Sequence, residues 1–128
     1  MSHEDLTQKD LELIVVFLQR QKKYRLDTLK QLEFRSKLLK FSLIGYLYLR
    51  LSDMMDEIHN LKEQVSKLDK IILDTSHSRN LEITHTVITE IRKDFIAKAL
   101  FAKMFGSFDG FTFCREEALE AEAICKLF

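Results

Sequence analysis

The sequence predicts an all-α protein, a helical bundle built on a long central coiled-coil-type helix and an antiparallel helical hairpin. Three observations predict it. Ile44, Leu47, Leu51, Met54, Ile58, Leu61, Val65, Leu68 and Ile72 recur at alternating gaps of three and four without a polar interruption. That is an a/d heptad seam. No proline and only three glycines stand in 128 residues, so helix breakers are nearly absent. Hydrophobic residues make 46% and charged residues 31%, a balance that suits a folded core and not a disordered chain.

The seam is the central element, expected over residues 41–75 and roughly 43 Å long between its outer members. Ile44, Leu51, Ile58, Val65 and Ile72 take position a; Leu47, Met54, Leu61 and Leu68 take d. Mostly β-branched a with mostly Leu at d favours two parallel strands if the partner is a second copy. The same stripe also serves a helix inside an intramolecular bundle, and both readings stand. From Ser52 onward the outer positions are mostly polar. Before it, Gly45, Tyr46, Tyr48 and Leu49 make the outer face apolar, which calls for cover by other chain.

Residues 1–40 are expected to form N-terminal helices. Ser2-x-x-Asp5 and Thr7-x-x-Asp10 are capping signatures before the apolar run Leu11, Ile14, Val15 and Leu18. Gln19-Arg20-Gln21-Lys22-Lys23 is either a turn or an exposed stretch of continuous helix. The stripe Leu26, Leu29, Leu32, Leu39 and Leu43 is out of phase with the seam, which implies a stutter near residue 40.

Asp74-Thr75-Ser76-His77-Ser78-Arg79-Asn80 is a turn. A return helix follows over 79–105, on Leu81, Ile88, Ile91, Phe95, Ala102 and Phe105. Thr84 and Lys98 interrupt that register, and a drift to Ala99 is expected. Gly106 and Asp109-Gly110 mark the next turn, and Thr112 is the expected cap of a last helix over 112–128. Leu119, Ala123, Ile124, Leu127 and Phe128 form its apolar set. Phe105, Phe108, Phe111 and Phe113 crowd this turn, so the last helix is expected to dock and bury them. The whole reads as a single helical domain, 1–128.

Twenty Lys and Arg balance twenty Asp and Glu. That neutrality argues against bulk nucleic-acid affinity. Residues 19–40 carry eight of the cations against two acids. Arg20, Lys22, Lys23, Arg25, Lys30 and Lys37 there are the candidate nucleic-acid contacts, although a solvated helix face explains them as well. Cys114 and Cys125 are too few for a disulfide scaffold and fit a reducing, cytoplasmic setting. No apolar run is long enough to span a bilayer, and Ser2-His3-Glu4-Asp5 does not resemble a signal peptide.

No Gly-rich phosphate loop, Ser-centred elbow or zinc spacing is present. Asp56-x-x-His59 and Glu82-x-x-His85 share the acid–His spacing of di-iron bundles, but Asp56 and His59 fall off the seam. Neither metal nor cofactor is expected. Arg79-Asn80-Leu81-Glu82-Ile83-Thr84-His85 resembles the Arg-x(4–6)-His motif of the HEPN superfamily of helical ribonucleases. The resemblance covers seven residues and implies His85 as acid/base, Arg79 as phosphate stabiliser and Asn80 as the polar residue after the Arg. The simpler reading is a helix start with Ser78 or Asn80 as cap and His85 on a polar face. The expected function is therefore non-enzymatic: a small interaction protein, adaptor, chaperone-like partner or inhibitor, acting as a homodimer or on another protein. A metal-independent ribonuclease is the alternative, and a nucleic-acid-binding bundle the third reading.

Overall fold

The computed structural model describes residues 6–40 and 45–128, and for residues 40 and 45–50 it describes the backbone alone. Four helices follow one another: α1 (Gln8–Lys40), α2 (Gly45–Ser76), α3 (Leu81–Met104) and α4 (Phe108–Cys125). The described residues contain no strand. The protein is all-α, as the periodicity and the lack of breakers require. The chain gathers into two compact units, one of Leu18–Ile72 and one of the residues up to Phe17 together with Leu73–Phe128.

α1 starts at a reciprocal capping box. The Thr7 N–H donates to Asp10 Oδ2 at 3.2 Å, and the Asp10 N–H donates to Thr7 Oγ1 at 3.1 Å. The helix then runs through residues 19–23 without a turn. Gln21 is buried there, and its carbonyl accepts from Arg25 Nη1 at 3.0 Å. The Ser2–Asp5 signature and the stutter near residue 40 lie outside the described residues.

Within Leu18–Ile72, α1 and α2 run antiparallel. Lys22 pairs with Asp69, Arg25 Nε donates to Gln64 Oε1 at 3.0 Å, and Lys62 meets Glu33 at 3.7 Å. Partner numbers fall on α2 as they rise on α1. Leu29, Leu32 and Ile58 form the buried cluster of this unit, with Leu26, Met54 and Leu61 packed against it. Between residues 51 and 70 only Leu51, Met54, Ile58, Leu61, Val65 and Leu68 escape full exposure, and all six belong to the seam. At Ile58 the seam's partner is therefore α1 of the same chain. Ile44 and the side chains of Leu47, Tyr46, Tyr48 and Leu49 lie outside the described residues.

In the other unit, the chain reverses after α2 through Ser78 and Asn80, both in the left-handed region at φ near 54° and 53°. Asn80 Nδ2 donates to Asp74 Oδ2 at 3.2 Å, and the Arg79 N–H donates to Asp74 O at 2.7 Å. Inside this reversal Thr75 and Thr84 are both buried and share a hydroxyl–hydroxyl bond of 2.9 Å. Each satisfies the other, which lets Thr84 occupy the stripe position it seemed to interrupt. α3 buries Leu81, Thr84, Val87, Ile88, Ile91, Phe95 and Ala99. The stripe drifts from Lys98 to Ala99, as expected.

Candidate interaction surface

α3 and α4 form a tight antiparallel hairpin. Three contacts set the register: His85 stacks on Phe128 at 4.8 Å, Thr89 Oγ1 lies 3.7 Å from Cys125 Sγ, and Phe95 meets Phe113 edge-on at 6.1 Å. Ala118, Ala121, Ile124 and Phe128 are buried. Leu119 and Ala123, expected in the apolar set, are exposed instead. The docked face of α4 is carried by alanines at a spacing of three, because small side chains let the two helices approach closely.

Three residues connect the two helices. Gly106, at φ 72°, takes the left-handed position after the C-cap Phe105. The Gly106 N–H bonds Lys103 O at 3.3 Å and the Ser107 N–H bonds Ala102 O at 2.9 Å. This pair of bonds is a Schellman motif, and it needs a residue that tolerates positive φ. Ser107 is at once the N-cap of α4: its Oγ accepts from the Gly110 N–H at 3.3 Å. A Cβ on Gly110 would lie 2.8 Å from that oxygen. So Asp109-Gly110 is the first turn of α4 and not a loop, and the cap is Ser107, not Thr112. Gly106 already completes the reversal, which leaves the second glycine free to sit inside the helix.

So short a link cannot fold the turn's phenylalanines over the core. Phe101 is 64% exposed, Met104 81%, Phe105 70% and Phe108 77%. The expected burial of Phe105 and Phe108 does not occur; Phe111 is half-buried and Phe113 remains exposed. Phe101 and Phe105 face each other at 4.5 Å with a 38° tilt. Exposed apolar side chains clustered in this way mark contact surfaces. Along the hairpin from this tip runs an open groove of about 220 Å³. Ile96 and Leu100 stand on its α3 wall, Phe111 and Leu119 on its α4 wall, and Arg92, Arg115 and Glu122 line it as well. Ala99 and Ala118, both buried, form its floor.

The residues of the ribonuclease motif are not arranged around a common point. The Arg79 guanidinium lies 3.9 Å from Asp74 Oδ1. Asn80 is spent on the same carboxylate and on the backbone position before α3, where it caps without a side-chain bond. One ring face of His85 is covered by Phe128, 9° from parallel. His59 pairs with Glu63 at 3.0 Å on the exposed face of α2. Among the described residues, no three His, Cys, Asp or Glu come together as a metal site. In the basic block, Lys22 and Arg25 are engaged with α2, Arg20 is half-buried, and Lys23, Lys30 and Lys37 are exposed. The two thiols are free of disulfide. Burial pushes the Cys114 thiol above its ordinary value, with Asp94 and Glu117 adding to the shift and Lys98 opposing it. It is a neutral, weakly nucleophilic group.

Sequence reasoning missed Phe101, Met104, Leu100 and Leu119 as surface residues. The available signal was that Phe101 and Met104 fall off the Leu81–Ile88–Ile91–Phe95 register. These features define a class, an all-α protein with exposed apolar side chains concentrated on a helical hairpin. Comparison with protein-family models, with curated proteins and with solved structures finds no match. No helix among the described residues is long and apolar enough to cross a membrane.

Proposed function

We propose that this chain is a small helical interaction protein, an adaptor, chaperone-like partner or inhibitor, that binds another protein through the tip of the α3–α4 hairpin. The observation that carries this reading is the exposure of Phe101, Met104, Phe105 and Phe108 on a turn whose backbone N–H groups at 105–107 are all bonded internally. The backbone there is already satisfied, so binding is by side chains. Phe and Met suit that role: they offer large apolar area, and Met adapts to irregular partners. The two free thiols suit a cytoplasmic setting.

The test is site-specific photo-crosslinking with a benzoylphenylalanine at Phe105 in cells. The reading predicts a discrete adduct with a second protein, lost when Phe101 and Phe108 are replaced by Ser. An adduct pattern no different from that of the same probe at exposed Glu63 overturns it.

A further inference from the structure

The groove between α3 and α4 carries a charge order that is complementary to a second copy of itself under a two-fold rotation. On its α4 wall stand Arg115, Ala118, Leu119 and Glu122. Arg115 and Glu122 are seven residues apart, so they share a face of the helix about 10.5 Å from one another along its axis. The midpoint between them falls between Ala118 and Leu119. Neither Arg115 nor Glu122 has an ion pair or side-chain hydrogen bond among the described residues. Leu119, next to the midpoint, is 54% exposed, while Ala118 is buried and leaves room for close approach.

We propose that this groove is filled by α4 of a second copy of the chain, in an isologous dimer. The two α4 helices run antiparallel about the Ala118–Leu119 midpoint. Arg115 of each copy then meets Glu122 of the other, and Leu119 of each enters the groove of its partner beside Leu100 and Ile96. A two-fold contact demands that the residue facing a given position face it back, and the Arg115–Glu122 order meets that demand. A partner helix of uniform charge does not fit as well, because the groove offers one guanidinium and one carboxylate on the same wall and repels it at one end. The exposed ion pairs contribute little affinity of their own. They fix the register, and the leucines and isoleucine supply the apolar area.

This inference rests on the reading of the chain as an interaction protein but places self-contact on the groove and not on the tip. The test is sedimentation velocity on the purified full chain. Wild type is expected to dimerise. Arg115→Glu and Glu122→Arg each oppose like charges twice, and each should weaken the dimer by about tenfold or more, roughly 1.4 kcal/mol. The double reversal Arg115→Glu/Glu122→Arg restores both pairs and should return the dimer to about wild-type strength. Circular dichroism of all three should match wild type, since neither group is used inside the chain. Phe105→Ser should dimerise like wild type, so loss of the tip contact and loss of the dimer are separate results. A monomeric wild type, single reversals that dimerise normally, or a double reversal as weak as the singles overturns the inference.

Discussion

His85 shows how a residue's chemistry is decided by what it touches. By sequence it stands six residues after Arg79, in a ribonuclease-like motif. In the fold it stacks on the last residue of the chain, Phe128, which is 3% exposed. Its role on this account is to pin the residues after α4 against α3. Stacked ring pairs contribute about 0.5–1.5 kcal/mol beyond their buried area. His85→Ala should therefore lower the melting temperature by several degrees, at about 3–5 °C per kcal/mol for a chain of this size. His85→Phe should retain most of the stability. Differential scanning calorimetry of the two variants decides it, and a His85→Ala variant that melts like wild type would show the stack to be idle. Thr75 and Thr84 give the same lesson from the other side. Each alone reads as an interruption of a stripe, and together they form a satisfied pair in the core.

At the scale of the element, α4 depends on α3 for its structure. It holds 18 residues and buries Glu117, Ala118, Ala121 and Ile124. Most of the stability of a helix within a protein comes from packing its buried face and not from propensity. In turn, α3 uses α4 to cover Phe95, which meets Phe113 edge-on. Truncation after Gly106 should thus cost more than one element: it should lower the melting temperature by more than about 10 °C and promote aggregation, given about 2 kcal/mol for each large apolar side chain uncovered. Thermal melts followed by light scattering measure both. A truncated chain with the melting curve of the full one would mean that α4 is not part of the core. The exposed tip residues do not enter this balance, since they contact solvent in the intact chain.

At the scale of the molecule, what was legible in the sequence is what depends on helical periodicity. The seam from Leu51 to Leu68 identified the less exposed face of α2 residue by residue, and the drift at Lys98 was readable from Ala99. The partner of that face was not readable, because an antiparallel α1 and a second copy place the same demand on it. The start of α4 was misplaced because Asp109-Gly110 carries turn chemistry, while the reversal is completed one step earlier by Gly106 and Ser107. That early reversal is also why the aromatic tip is exposed. The exposure of Phe105 and Phe108 thus accompanies a three-residue link, which hydrophobicity alone does not reveal. The central claim is that Phe101, Phe105 and Phe108 serve contact with a partner and not the fold. The most direct test is the melting temperature of the Phe101→Ser/Phe105→Ser/Phe108→Ser variant. The account predicts a change of no more than about 6 °C, because three surface substitutions of up to about 0.5 kcal/mol each sum to about 1.5 kcal/mol at about 4 °C per kcal/mol. A fall of about 10 °C or more would place these side chains in the core and contradict it.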